Sequence, residues 1–524
     1  MFLTAKFIIK RIFFGFIFNT YFNTVSIAYL YFVLYCIVNK CKERISIIFI
    51  LDTKGVSLMV AKPIKSNAIT EGVIWKQLLI FFFPLLLGAF FQQMYNMADS
   101  IIVGRYLGKE ALSAVGGSTG KIVDVLTYFS VALTTGSSVI IAQYYGAKNY
   151  IHTERAVHTA VTFAALFGLV VTVLGFALTP AMLKAIDTPD EILKPSITYL
   201  RIYFIGMVPN LLYNMGAAIL RAIGDSKRPL IFLAITCFLN IIIDLFFVVV
   251  LNMGVAGAGI ATTLSLFISA AMVMGAILLT KDCYRFYVTH MGIRMSLLKR
   301  MLKIGVPAGV QSLMFNLPNI LLQVYINRLG TDTVAAWSTY SKIETIFWMT
   351  TASLGSAMTT FSGQNYGAGR KDRVMKSVKE CLAMGLFASV LITTFLYTCS
   401  HMLMSLFVSD ENVIEIGVSI MHYLPLFFEF YIFIEVFSGT LRGTGNSFKP
   451  MIIAISGICI PRILWLTVVV PKNQSLFTIL FTFPLSWVLT GCMFIVYFVY
   501  YTKKRGWWKK DLIKAAEAKK HKTM

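Results

Sequence analysis

From about Leu78 onward, apolar runs of roughly 20 residues, the length of helix that crosses a bilayer, recur between short polar turns. Twelve are legible, at about 75–103, 116–142, 156–180, 195–220, 229–252, 255–280, 301–327, 334–362, 377–402, 414–440, 449–471 and 476–501. They predict an all-α polytopic membrane protein of twelve transmembrane helices. Turns after even-numbered runs hold the basic residues, among them Lys148, Arg155, Arg221, Lys227, Arg228, Arg300, Arg370, Arg373, Arg442 and Lys449. Turns after odd-numbered runs are poor in Lys and Arg, and two are acidic, near Asp187 and Asp410. Because basic loops stay in the cytoplasm, both ends of the twelve-span unit are expected there, in a bacterial plasma membrane.

Residues 1–58 break the pattern. Ile12 to Val38 is apolar enough for a thirteenth span, but that use would put Lys6, Lys10 and Arg11 outside, against the bias of every later loop. No small-residue cleavage site marks a signal peptide. The expectation is an extension that is disordered or not part of the native product, with translation starting at Met59. Lys54-Gly55-Val56 can be encoded by a purine-rich ribosome-binding sequence at a suitable distance before it.

Composition sharpens the class. Of 524 residues, 57% are hydrophobic and 14% charged, far below the charge of a soluble domain. The net charge of +23 lies in short clusters between apolar runs, which suits membrane orientation and argues against a nucleic-acid groove. The eight cysteines contain no C-x-x-C and the six histidines no H-E-x-x-H, so neither a disulfide framework nor a metal enzyme is indicated. No nucleophile, base and metal set assembles, and no enzyme is expected. Nor is there a G-x-x-x-x-G-K-[ST] loop, so an ion gradient is the expected energy source.

The chain also repeats itself. LGKEALSAVGGSTGK (107–121) aligns with LGTDTVAAWSTYSK (329–342), AQYYGAKNYIHTERAV with GQNYGAGRKDRVMKSV, and AILRAIGDSKRPL (218–230) with GTLRGTGNSFKPM (439–451), all offset by about 221 residues. The implied organisation is an N-terminal six-helix bundle at 59–280, a cytoplasmic linker at 281–300, a C-terminal six-helix bundle at 301–502 and a basic tail at 503–524. Six spans per repeat give both bundles one orientation, related by a pseudo-two-fold along the membrane normal. Proteins of this plan alternate access by rocking one bundle against the other.

Charges inside the spans mark the chemistry. A carboxylate in lipid is costly, so Asp99 in YNMADSIIVGRYLG is expected to face protein or a wet cavity. Asn240 and Asp244 in LNIIIDLF lie four residues apart on one helix face. By helical rise, Asp244 sits about 12 Å and Thr262 about 10 Å below the outer rim, and Asp99 roughly 30 Å from the inner start of its span. Tyr199 reaches the same layer. Hard oxygens suit Na⁺, and two adjacent acids cannot both ionise cheaply without a cation, so one otherwise holds a proton. The alternative is an interhelical hydrogen-bond clamp. Gln92, Tyr95 and Asn214 are candidates for a substrate cavity beside the cluster, with ordinary packing as the alternative for Gln92 and Tyr95.

In the second bundle Glu435 stands opposite Asn214, and Trp465 opposite Asp244. Glu435 and Arg462 lie at depths that allow an ion pair, structural, gating or substrate-binding. Pro84 and Pro307 occupy matching places in spans one and seven and are expected to kink them. The Lys121/Asp124 and Lys342/Glu344 clusters suggest no role.

The proline-bearing first span followed by NMADSIIVGRYLG, the A-Q-x-Y-G-A turn at Ala142 to Ala147, and L-R-x-x-G-[DN]-x-x-x-P in each half resemble the multidrug and toxic compound extrusion (MATE) family from Ile74 to about Tyr501. The resemblance implies a secondary antiporter in the lipid bilayer, acting as a monomer, that exports small organic compounds, cationic and amphiphilic, against Na⁺ or H⁺. It also implies a coupling network at Asp99, Tyr199, Asn240, Asp244 and Thr262, of which Asp99, Asn240, Asp244 and Thr262 form the Na⁺ ligand set. A family branch with an acid in span seven finds no counterpart in 306–323. The alternative within the superfamily is a flippase of lipid-linked glycan precursors.

Overall fold

The computed structural model describes residues 69–507. The expectations for 1–58, and those parts of the first bundle and of the tail that fall at 59–68 and 508–524, lie outside the described residues. The chain order is α1 (Ile74–Gly116), α2 (Ser118–Gly146), α3 (Tyr150–Ala185), α4 (Asp190–Ile205), α5 (Met207–Ala222), α6 (Lys227–Asp244), α7 (Gly254–Leu279), α8 (Met295–Met314), α9 (Asn316–Asn327), α10 (Thr331–Ile343), α11 (Thr345–Gly367), α12 (Lys371–Thr398), α13 (Ser400–Ser405), α14 (Glu411–Tyr423), α15 (Phe428–Gly443), α16 (Phe448–Ala454), α17 (Ile460–Leu464), α18 (Leu476–Leu480) and α19 (Thr482–Lys504). Among the described residues, nine helical stretches are long and apolar enough to cross a membrane, and α4 with α5, bent by 48°, makes a tenth. The remaining two predicted spans fall on α8 with α9, interrupted at Phe315, and on the hydroxyl-rich α11.

Two spans leave the α-helical repeat at matching places. α6 passes into a π-helical turn at Leu245–Val250, and α17 into one at Trp465–Val469. Such turns insert a residue and rotate the following face. Neither proline interrupts its helix. α1 runs through Pro84 and α8 through Pro307, and the non-helical residue in α1 is Gly108, at φ 85°. A freed carbonyl four residues before a proline is tolerable where neighbouring helices enclose it.

The spans bearing these prolines each begin in the opposite half's core. Ile74, Leu78, Phe81 and Phe82 of α1 are buried with residues of α9, α11 and α15, and Phe81 meets Phe361 edge to face. Farther along, Ile102 and Val103 pack with Tyr199, Val248 and Ala258 of the first half. Reciprocally, Leu297, Met301 and Ile304 of α8 join the core of α2, α3 and α5. The connection before α8 docks on that half too: Tyr284 and Phe286 are buried, and Tyr284 accepts from Arg228 Nη2 at 2.9 Å.

The duplicated turn motifs meet across the seam at the end that carries the basic loops. Gly146 lies against the backbone of Gln364, and Gly367 against that of Gln143. Each glutamine also reaches a helix end in the other half, Gln143 Nε2 donating to Gly443 O at 2.8 Å and Gln364 Nε2 to Ala222 O at 2.6 Å. Those carbonyls close α15 and α5, where the last turn leaves acceptors without intrahelical partners. Gly224 and Gly445, at φ 98° and 88°, end the two helices in matching left-handed caps. The A-Q-x-Y-G and L-R-x-x-G motifs thus form a reciprocal clasp. Replacing both Gln143 and Gln364 by Ala removes two hydrogen bonds worth about 0.5–1.5 kcal/mol each. Amide exchange at 220–225 and 441–446 should accelerate in the double variant, and unchanged exchange would refute the clasp.

Candidate functional site

Four spans deliver the predicted polar side chains to one buried layer. Asp99 projects from α1, Tyr199 from α4, Asn240 and Asp244 from α6 just before its π turn, and Thr262 from α7. All five are buried, Asn240 and Asp244 completely. The carboxyls of Asp99 and Asp244 come into side-chain contact, and Asn240 adjoins Asp244. Tyr95, one turn before Asp99, sits beside Thr262 and near both acids, so it belongs to the cluster itself. Tyr199 is also close to both acids and stacks on Tyr203, with ring centroids 6.4 Å apart.

The polar atoms here are unusually short of partners. Asp99 Oδ1, both Asp244 oxygens, Asn240 Oδ1 and Nδ2, Thr262 Oγ1 and the Tyr95 hydroxyl are buried without a geometrically sound hydrogen bond among the described residues. Burying polar atoms unsatisfied is expensive, and ionised carboxylates facing each other are acceptors only. A proton or a small cation between the acids resolves both problems. These oxygens are the hard ligands that Na⁺ takes, so the residues fit either occupant.

Gln92 is exposed on α1. Asn214 donates to the Asn210 side chain at 2.7 Å, within its own helix. The expected Glu435–Arg462 pair does not form: Glu435 takes Arg442 of its own helix, Oε1 to Nη2 at 2.9 Å. Arg462 turns instead to Ser486 Oγ at 2.9 Å and Asn319 Oδ1 at 3.2 Å, with its guanidinium 4.3 Å from the centre of the Phe483 ring. It helps line a cavity of about 500 Å³ in the second half. Glu344, to which the sequence suggested no role, lines that cavity too, beside Trp348 and Tyr340. Its signal was an acid directly before the apolar run TIFW, obscured by Lys342 two residues earlier.

Glu154, His158 and His290 also converge near the basic loops. Both His158 ring nitrogens already have neighbours, Nδ1 the Glu154 carbonyl at 2.9 Å and Nε2 the Tyr287 N–H at 3.0 Å. That group is therefore a docking contact for the connection to α8.

Known proteins share this plan. The MatE family model matches residues 84–246 and 307–465, one segment in each half. The probable multidrug resistance protein YoeA of Bacillus subtilis is 28% identical over 406 residues, spanning 76% of this chain and 87% of its own. The probable multidrug resistance protein NorM of Thermotoga maritima is 27% identical over 380 residues, 71% and 80% of the two chains. A solved MOP superfamily transporter from Pyrococcus furiosus superposes with a TM-score of 0.77 at 20% identity, covering 84% of this chain and 99% of that one.

Proposed function

The chain belongs to the MatE family of multi-pass membrane transporters, and from that premise we propose that it is a monomeric antiporter of the bacterial plasma membrane that exports small organic compounds in exchange for inward Na⁺ or H⁺. Amphiphilic organic cations are its proposed cargo, and the basic loops face the cytoplasm. The observation that carries the reading is the meeting of Asp99 and Asp244, from separate spans, in a buried layer whose oxygens lack partners. Multidrug resistance in the names of relatives supports export.

Coupling follows from charge and from the path of α1. With no cation between them, two carboxylates repel in a medium that screens poorly. A proton or Na⁺ arriving from outside draws Asp99 and Asp244 together, with Asn240, Thr262 and Tyr95 able to turn oxygens toward Na⁺. Asp99 rides on the helix whose first turns lie in the other half's core, so drawing it toward α6 shifts one half against the other. Tyr95 moves with it and narrows the space beside the cluster, expelling cargo outward. Release of the ion inward resets the pair.

A flippase for lipid-linked precursors calls for a basic cavity. The 500 Å³ cavity sets one guanidinium against one carboxyl, which does not favour that reading.

Everted vesicles provide the test. Ethidium movement should follow an imposed Na⁺ or pH gradient and collapse when that gradient is dissipated. Movement driven by neither gradient would refute antiport.

A further inference from the structure

The cavity of the second half is outside the acid pair and has its own chemistry. Arg462 is only 5% exposed, yet among the described residues no carboxylate lies within ion-pair distance of it. Ser486 holds Nε and Asn319 holds Nη1, while among the described residues Nη2 has no hydrogen-bond partner and Arg462 lines the cavity. An ionisable group at such depth without an ion-pair partner in contact is costly, and in a membrane span it points to a ligand site. A guanidinium held at Nε and Nη1 keeps its Nη2 donors for a carboxylate.

The remaining walls say what else the ligand carries. Trp337, Trp348, Trp487 and Phe483 line the cavity, and broad rings of this kind favour a flat aromatic body. Glu344 supplies a second, opposite pole, close enough to Arg462 for electrostatic interaction but not paired with it. The cavity, at about 500 Å³, falls in the range of small-molecule sites.

We propose that this cavity is a second substrate site, selective for flat aromatic zwitterions whose carboxylate is held by Arg462 and Asn319 and whose ammonium faces Glu344. The first half does not repeat the two charges: at the repeat offset, Ile241 and Val123 stand where the second half has Arg462 and Glu344.

The proposal rests on the export reading, because it names a substrate class. Its test needs no gradient, so failed ion coupling and failed zwitterion recognition give different results. Equilibrium binding to the purified full-length protein in detergent would be followed by tryptophan quenching. The probes are norfloxacin, which carries both charges, its ethyl ester, which lacks the carboxylate, and N-acetylnorfloxacin, which lacks the ammonium. Norfloxacin should bind about tenfold or more tighter than the ester, the worth of a charge-assisted hydrogen bond. Arg462→Gln should abolish that preference while leaving the ester's affinity within about twofold, and Asn319→Leu should reduce it. Glu344→Gln should abolish the preference over N-acetylnorfloxacin. Thermal unfolding checks each variant, and if Arg462→Gln does not fold, Asn319→Leu and the ester on the unaltered protein decide. Equal binding of norfloxacin and its ester by the unaltered protein, or the full preference kept in a folded Arg462→Gln or Asn319→Leu variant, would overturn the proposal.

Discussion

Asp99→Asn should lower gradient-driven export of ethidium by about 10- to 100-fold, the loss expected when a charged hydrogen-bonding ligand becomes neutral. The amide keeps the shape of the side chain but brings its own donors, so Asp244 gains a neutral partner and the pair no longer needs a cation. Asp244→Asn should do the same from the other helix. The protein should remain folded in both cases. Replacing one of two facing buried acids removes a desolvation and repulsion penalty, so the thermal midpoint is expected to stay level or rise. Loss of export with a preserved midpoint distinguishes coupling from the interhelical clamp, in which losing the acid would lower stability. Full export by Asp99→Asn would remove its assigned role.

Gly146→Ala and Gly367→Ala carry the next largest effect. A β-carbon at these positions would lie 2.0 Å from Gln364 O and 1.9 Å from Gln143 O, against 3.4 Å or more in ordinary contact. The obstacle is backbone, which no rotamer change relieves. Overpacking of this kind costs about 1–3 kcal/mol. Here the strain can be released by separating α2 from α11, which opens the seam between the halves. Export should fall by about tenfold or more, with faster amide exchange at 140–149 and 361–370, because the state in which the halves meet at the end that carries the basic loops is penalised directly. An Ala variant that exports normally with unaltered exchange would contradict the reciprocal clasp as an element of the transport cycle.

Much of this was legible in the chain. Apolar run length is a direct consequence of bilayer thickness, so the runs could be counted without coordinates. The acid layer was legible because helical rise converts residue number into depth, which placed Asp99, Asn240, Asp244 and Thr262 together. Depth does not give azimuth, and that is where Arg462 was misassigned. The π turns at Ile455–Cys459 and Trp465–Val469 on either side of it change the helical phase. Meanwhile Arg442, seven residues beyond Glu435 and two turns along the same face, took the carboxylate. Glu344 was hidden by its proximity to Lys342, because a cluster of opposite charges at the start of a span suggested no role. The clasp was present only as repeated motifs, because which half a glutamine caps depends on how the two bundles meet.

Ion binding by the purified protein tests the acid pair most directly. In weakly buffered detergent solution, acidified protein should release a proton when Na⁺ is added, if both cations compete for the space between Asp99 and Asp244. If only H⁺ couples, Na⁺ should release none and ethidium should displace the proton instead. In either case the Asp99→Asn/Asp244→Asn double variant should show no such release. The same proton release from the double variant as from the unaltered protein would contradict the assignment of this pair as the coupling site.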